Sequence, residues 1–585
     1  MSVLSRLLES LPRWNLSLET YGRSGQLVRR LSGQELEACI REFREQFDGW
    51  DAAGRRAVAL LFKSEETAEF LVAAFAAISM GYTVVPLYPN WSAETQLEYI
   101  RAYRLRAVCT GAGFRSRAET WLLERDSPVD RYLPLDLAEL LEQATRRPEG
   151  AAPLRLDAGP DHPCAWIFTS GTSGKLAKLT EITLRNLDAA VENIQELDFL
   201  FPGMTIHCPL SASHVFAFVA ILGFLSTKPK RVIFSDIQYL QRLPQSATGK
   251  VDGIVLVPIV IHRLRSGFYE KLVARLDPKE VPPELKTLAR IPLPARKLLK
   301  RVVLRAEAAA ADLERTGRTH RAGWAAIVLA RKLFSQTILQ RLGSPSFVVV
   351  GGAKPSLQAM AFLEVMGIRC LQGWGMTETT GPLAVCTLGD RFRGAFGTCG
   401  TLFRETNAYI EDGELIVEGP QIARGYHQPD GSFVPFHGRK RTGDQAEFDR
   451  SGRLRVIGKA SDRITTCNGI NYDPIPFEEE LYALDLQSRH LVEEIVVIGD
   501  AQPRLGAVFF LREGVDLTDS VRGYLATLVR EVNLPRPVDE KIGPWTISAR
   551  AFKEAGVLGP SGKLVRSRVE MAFARIFDEA VAVGN

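Results

Sequence analysis

Cysteine is sparse and scattered in this chain: eight occur among 585 residues, and none lies in a Cys-x-x-Cys spacing. That excludes a zinc ribbon and a disulfide framework, and it fits a reducing compartment. Excess charge of one sign is missing too. Lys+Arg number 73 and Asp+Glu 68, a net +5, which is too small over this length to point to nucleic acid as a partner. No apolar run is long enough to span a bilayer. The longest, Phe70 to Val85, is interrupted by Ser79, Gly81 and Thr83 and reads as a buried helix followed by a strand. The opening MSVLSRLLESLPRW carries charges inside its apolar stretch, unlike a secretory signal. These absences lead us to expect a cytoplasmic protein, with peripheral membrane association left open.

What is present is a globular composition, 46% hydrophobic and 24% charged, on a chain too long for one core. Ala57 to Phe62 reads as a buried strand, Glu65 to Met80 as a helix and Thr83 to Leu87 as the next strand. Such alternation predicts a parallel sheet with crossover helices. The pattern recurs where Phe347–Val350 runs into Gly351, Gly352 and Ala353, the kind of strand end at which ligands approach such sheets. Residues 265–341 are long, helical and basic. From Lys286 to Arg341, 13 Lys/Arg face only Glu307, Asp312 and Glu314. A solvated helical face is one reading; an anionic membrane surface against 286–341, an acidic partner protein or a phosphate-bearing ligand are the others. From Gly458 the chain becomes a smaller unit, with strands at Glu494–Gly499 and Gly506–Leu511 and helices at Val521–Val532 and Leu564–Ala582.

Two loops carry the chemistry. FTSGTSGKLAK, Phe168 to Lys178, follows an apolar strand-like run. Its glycines let backbone N–H groups turn toward an anion, and its hydroxyls add donors. GWGMTETTG, Gly373 to Gly381, puts an aromatic, a threonine and a glutamate on one tight turn. That set can stack on a base, bond a phosphate and hold a divalent cation. Downstream come Gly413–Val417, Gly419-Pro420, Gly425-Tyr426, Thr442-Gly443-Asp444, Gly458–Asp462 and Gly562-Lys563. In order and spacing these motifs resemble the adenylate-forming superfamily of acyl-CoA synthetases, luciferases and peptide-synthetase adenylation domains. The resemblance runs from about residue 55 to about residue 570. A long insertion after Val257-Pro258 resembles the long-chain fatty acyl-CoA synthetase branch.

The resemblance implies an α/β protein in two parts. Residues 1–457 would form a large N-terminal core of several subdomains, with parallel-type sheets flanked by helices, binding the acid and ATP. Residues 458–585 would form a small mobile α+β domain carrying the catalytic lysine. It implies ATP-dependent conversion of a carboxylic acid to acyl-AMP, with release of pyrophosphate, then thioester formation with coenzyme A. The chemistry asks for positive charge and oriented donors where two anions must meet, which Mg²⁺ and a mobile lysine supply. By position, Thr169, Ser170, Gly171, Thr172, Ser173 and Gly174 would hold the β- and γ-phosphates. Trp374 would stack on adenine within Gly373, Trp374, Gly375 and Met376. Thr377 would contact the α-phosphate, and Glu378, with Thr172, would bind Mg²⁺. Gly351, Gly352 and Ala353 would line the adenine and acyl pockets, and Asp444 would bond the ribose. Lys563 would bridge carboxylate and α-phosphate, and His214 would lie beside the carboxylate.

The chain also departs from the family pattern. Leu176 and Ala177 stand where the phosphate loop usually has Pro and Lys, so Lys178 would substitute from one residue further on. Lys459 stands for the usual Arg after the hinge glycine and lacks its planar fork. Ser461 replaces the usual acid or lysine. Asn468 and Gly469 would line the pantetheine channel. The stretch Asn468–Pro474 and Ala177 are also compatible with fatty acyl-AMP ligases, which load the phosphopantetheine of a carrier protein. Coenzyme A is the favoured acceptor because of the insertion, and a fatty acid the favoured substrate. Phe216 to Leu225 would line an acyl tunnel or form a buried helix. A degenerate, non-catalytic acyl- or nucleotide-binding protein is the remaining alternative.

Overall fold

The computed structural model describes residues 2–22, 24–47, 57–123, 127–146, 154, 156, 158–169, 177–237, 240, 249–273, 291–316, 318–390, 395–467, 470–558 and 564–577. Two eight-stranded mixed sheets dominate. In the first, the strands Arg369–Met376, Phe347–Val350, Gly253–Leu256, Thr205–Cys208, Arg231–Phe234 and Ser17–Tyr21 run parallel. Gly381–Val385 and Leu27–Ser32 close its edges antiparallel. In the second, Pro163–Phe168, Thr83–Pro86, Ala57–Leu61, Ala107–Thr110 and Arg131–Pro134 are parallel. Leu179–Thr183 and Gly425–His427 extend that sheet antiparallel. The strand–helix–strand reading of 57–87 is met closely: a helix at Thr67–Ser79 joins the strands Ala57–Leu61 and Thr83–Pro86.

Two helices that are apolar over almost their whole surface lie in the main core. Every residue of Thr67–Ser79 is buried, as is Ala217 to Leu225 within Val215–Ser226. A helix with no polar face has no stable place but a core. Phe70 meets Phe218 edge-on at 5.9 Å between ring centroids. Of the two readings of Phe216–Leu225, the buried helix is therefore the one the structure takes, because its Ala217–Leu225 stretch packs in the main core.

His207, on the strand Thr205–Cys208, is buried in this core and bonded to Ser235 Oγ at 2.8 Å. Burial holds its imidazole neutral, pushing its pKa from 6.5 down to about 3. The unfolded chain takes up this proton near pH 6.5 and the folded chain does not, so the stabilisation is present above that pH and declines as pH falls. We expect His207→Gln to flatten the loss of stability between pH 7 and pH 5 by about 1–2 kcal/mol, measured as denaturant midpoints at the two pH values. An equal acid slope in both proteins would exclude His207 as the source.

The basic segment forms a hairpin of two helices, Leu293–Thr316 and Arg321–Arg341. It is not simply a solvated face. Arg296 and Lys300 are buried, and Lys300 Nζ donates to the carbonyl of Leu486 at 2.9 Å. Glu307 takes Arg265 at 2.7 Å in a buried ion pair and accepts from Tyr269 Oη at 2.6 Å. The C-terminal part has a three-stranded sheet, Val492–Ile498, Leu505–Leu511 and Ile542–Ile547, with helices Ile475–Gln487, Asp519–Asn533 and Arg566–Phe573. Its last helix is shorter in the described residues than the expected 564–582. No helix among the described residues is long and apolar enough to cross a membrane.

Candidate functional site

Three sheets bring their ends together around one glutamate. The first sheet supplies the turn between Arg369–Met376 and Gly381–Val385. Gly375 has to be glycine: a Cβ there would collide with the Gly381 carbonyl and the Pro382 backbone. Thr380 and Gly381 reverse the chain at φ +50° and +94°. Thr379 Oγ1 accepts from the Met376 N–H at 2.8 Å. Gln421 Nε2 donates to the carbonyls of Thr379 and Pro382 at 3.0 and 2.6 Å. The Ala423 N–H donates to the Glu378 carbonyl at 2.9 Å. Such a brace fixes the direction in which Glu378 points.

The Glu378 carboxylate is buried and accepts at Oε1 from Tyr426 Oη. Tyr426 belongs to the second sheet. Burial and the neighbouring Glu378 charge both raise its pKa, so the phenol remains a donor. Glu378 Oε2 has no protein partner among the described residues. One open carboxylate oxygen suits a divalent cation that keeps most of its water and takes few protein ligands, as Mg²⁺ does. Thr377 opens the one-turn helix Thr377–Thr379 and is half-buried.

Lys440 comes from the third, four-stranded sheet, on the strand Arg439–Phe448. Its ammonium lies 5.0 Å from the Tyr426 ring centroid and 4.7 Å from that of Phe436. Burial lowers its pKa, with Glu378 opposing and Lys178 adding to the shift. Two and four residues on, Thr442 and Asp444 share its inward face. Asp444 pairs in register with Lys459 across the sheet. Its Oδ1 is 2.7 Å from Lys459 Nζ, and its Oδ2 accepts from Trp374 Nε1 at 3.0 Å. Trp374 is only 8% exposed and packs with Leu383, Leu415 and Leu454. Its indole is thus chiefly a core group tied edge-on to Asp444, which narrows what remains for stacking on a base.

The two ends of the segment 169–178 are joined by the Thr169 N–H donating to the Lys178 carbonyl at 3.0 Å. Tyrosines grip it. Tyr88 Oη donates to the Phe168 carbonyl at 3.0 Å, and Tyr103 Oη to that of Ala177 at 2.8 Å. The Ala177 N–H in turn donates to Tyr99 Oη at 2.9 Å. The Ala177 methyl is fully buried among these aromatics, where a lysine would strand its charge. Lys178 is exposed instead, its ammonium 4.7 Å from the Tyr426 ring. The one-residue shift read from sequence therefore coincides with a change of direction, from core to site.

Gly351 ends its strand under the Phe216 ring, which a Cβ would approach to 2.9 Å. Gly352 has φ +83°, and Ala353 follows it on the surface. His214 caps the helix Val215–Ser226 and lies 4.4 Å from the Tyr88 ring, centroid to centroid. Glu378 and Lys178 thus meet at Tyr426, and Trp374 and Lys459 meet at Asp444, with Thr377 directly before Glu378 on the turn. Ser170, Gly171, Thr172, Ser173, Gly174, Asn468, Gly469 and Lys563 lie outside the described residues. Sequence reasoning quoted Tyr426 only as part of a Gly-Tyr motif and overlooked Lys440. The alternation of Lys440, Thr442 and Asp444 along one strand was the available signal.

A strand-end glycine pair, a braced acidic turn and a separate small α+β unit define an adenylate-forming enzyme. Residues 25–427 match the AMP-binding enzyme family, and residues 461–583 match the AMP-binding enzyme C-terminal domain. The chain belongs to the AMP-binding enzyme family. It is 26% identical over 547 residues to the long-chain-fatty-acid–CoA ligase FadD15 of Mycobacterium bovis, covering 86% of this chain and 85% of that one. It is 27% identical over 284 residues to the long-chain-fatty-acid–[acyl-carrier-protein] ligase AEE15 of Arabidopsis thaliana, covering 44% and 38%. In fold it is similar to the anthranilate CoA ligase AuaEII in complex with anthranoyl-AMP, with a TM-score of 0.69, 13% identity and coverage of 98% and 97%.

Proposed function

We propose that the protein activates a medium- or long-chain fatty acid as its acyl-AMP, using ATP and Mg²⁺, and passes the acyl group to coenzyme A. One observation carries the reading: Glu378, buried and braced, keeps one oxygen open toward a site flanked by lysines. Bound there, Mg²⁺ would neutralise phosphate charge as pyrophosphate departs. Tyr426 orients the Glu378 carboxylate and withholds its other oxygen. Asp444, with Thr442 behind it, is the acceptor for ribose hydroxyls, and Lys459 pairs with its other side. Similarity to FadD15 supports the fatty acid and coenzyme A. Similarity to AEE15 supports the second reading, transfer to a carrier protein. ATP–pyrophosphate exchange across acids from acetate to oleate, including aromatic acids, tests the first half. Exchange confined to one chain-length class names the substrate; silence with every acid returns the degenerate, non-catalytic reading. Thioester assays with coenzyme A and with a carrier protein test the second half, and product on the carrier alone would reverse our choice of acceptor.

We also propose that the hairpin meets an anionic membrane surface. Trp324, Val328, Leu329 and Leu333 are 47%, 59%, 43% and 44% exposed along one helix. Arg321 and Lys332 lie among them on the same outward side. An apolar stripe with an aromatic and basic neighbours is the composition of an interfacial helix. The double change Trp324→Ser, Leu333→Ser is expected to weaken binding to phosphatidylserine-containing vesicles by about tenfold or more, read by co-sedimentation. Equal sedimentation of both proteins would dispose of the idea.

A further inference from the structure

We propose that Lys178 and Lys440 together form a two-lysine cradle for the β- and γ-phosphates of ATP, and for pyrophosphate before its release. The inference rests on the adenylation reading for its biological role, but its physical basis is separate.

The two ammonium groups approach one ring, that of Tyr426, at 4.7 and 5.0 Å from its centroid. Lys440 also lies 4.7 Å from the Phe436 ring, which meets Tyr426 edge-on. Aromatic faces attract a cation. They do not accept the three hydrogen bonds that each ammonium offers. Among the described residues neither lysine has a carboxylate within ion-pair distance. Glu378 is the acid that acts most strongly on Lys440 through space, and its Oε1 is already taken by Tyr426. Lys440 is half-buried, so part of its hydration is lost, while Glu378 and Glu414 act on it only through space. Two cations placed together without counter-ions repel each other. That arrangement is stabilised by a ligand carrying several anionic oxygens.

Direction favours the polyphosphate over the acid's carboxylate. Lys178 ends the segment 169–178, its carbonyl bonded to the Thr169 N–H. The cation-suited oxygen of Glu378 is beside the same tyrosine, so a Mg²⁺-bound phosphate chain would meet both lysines. The usual loop lysine has no counterpart from position 177, whose side chain is buried among Tyr99, Tyr103 and Phe168. Lys440 arrives instead from a different sheet, three residues short of the glycine that precedes Asp444. Its ammonium is placed beside the Tyr426 and Phe436 rings. The charge that binds phosphate is therefore divided between a residue on the loop and one on a strand.

The test is calorimetric titration of inorganic pyrophosphate, MgATP and AMP into the full-length protein and into Lys178→Met, Lys440→Met and the double variant. Thermal midpoints identify any variant that fails to fold, and Lys440→Arg keeps the charge. Each single Met variant is expected to weaken pyrophosphate and MgATP by about tenfold, as loss of one charge-assisted contact does, while AMP affinity stays within twofold. Lys440→Arg is expected to recover most of the loss. Unchanged pyrophosphate affinity in folded variants overturns the cradle. So does an equal weakening of AMP, or a rise confined to the KM of the acid, which would assign the lysines to the substrate carboxylate. The two readings fail separately. Lysine-dependent pyrophosphate binding with no acid supporting exchange leaves the cradle standing and removes the adenylation reading; exchange with lysine-independent pyrophosphate binding does the reverse.

Discussion

Glu378→Gln is expected to lower ATP–pyrophosphate exchange by at least about a hundredfold. The substitution keeps the size of the side chain, and the amide oxygen can still accept from Tyr426, so the braced turn should hold. What is lost is the negative charge on the oxygen that faces the site, and with it the ligand for the cation. The loss should deepen at low Mg²⁺ and be partly relieved at high Mg²⁺, because the defect lies in affinity for the ion as well as in chemistry. Exchange measured across a Mg²⁺ titration gives the answer. A variant within a few-fold of the parent at every concentration would place the cation elsewhere. Tyr426→Phe supplies an internal comparison: it keeps the ring that both lysines approach and removes only the hydroxyl that orients the carboxylate, so it is the milder lesion.

Lys563→Ala is expected to have an effect of similar size or larger on the same assay, with ATP binding largely intact. The assignment comes from Gly562-Lys563 and its place near the end of the chain. The described residues on either side give it a frame. Leu558 and Leu564 form an antiparallel bridge, and the Val565 N–H donates to the Val557 carbonyl at 2.9 Å, so the two ends of the intervening segment are joined. Arg566, directly after, is buried against Glu478 and accounts for the firm seat of the helix that begins there. A lysine that acts only when adenylate forms should leave nucleotide affinity alone. Retained exchange would remove Lys563 from the mechanism; lost ATP binding would make it a nucleotide-binding residue.

Much of the fold could be read in advance because its strands are short apolar runs ended by glycine, as at Phe347–Val350 and Gly351. The acidic turn was equally legible, since Gly375, Thr380 and Gly381 leave the chain few alternatives. What escaped reading depends on side-chain direction. Trp374 looked like a platform for a base, but whether an indole faces a cleft or a core is set by Leu383, Leu415 and Leu454, residues remote in sequence. Lys300 counted as one more surface charge until Leu486, nearly two hundred positions away, proved to be its partner. Lys440 and Tyr426 come together only because strands of two different sheets end at the same place. Periodicity reports a face of an element and not what that face meets.

The Arg265–Glu307 pair in the helical region has an evolutionary corollary. Both side chains are almost wholly enclosed, and Tyr269 adds its hydroxyl to the carboxylate. Changing either charge alone leaves the other stranded, at about 3–5 kcal/mol, a large share of the net stability of an ordinary domain. Descendants of this chain can exchange the pair for an apolar one only by altering both positions nearly together. The two sites should therefore drift as a unit, slowly, while exposed positions of the helical region outside the stripe of Trp324, Val328, Leu329 and Leu333 can change one residue at a time.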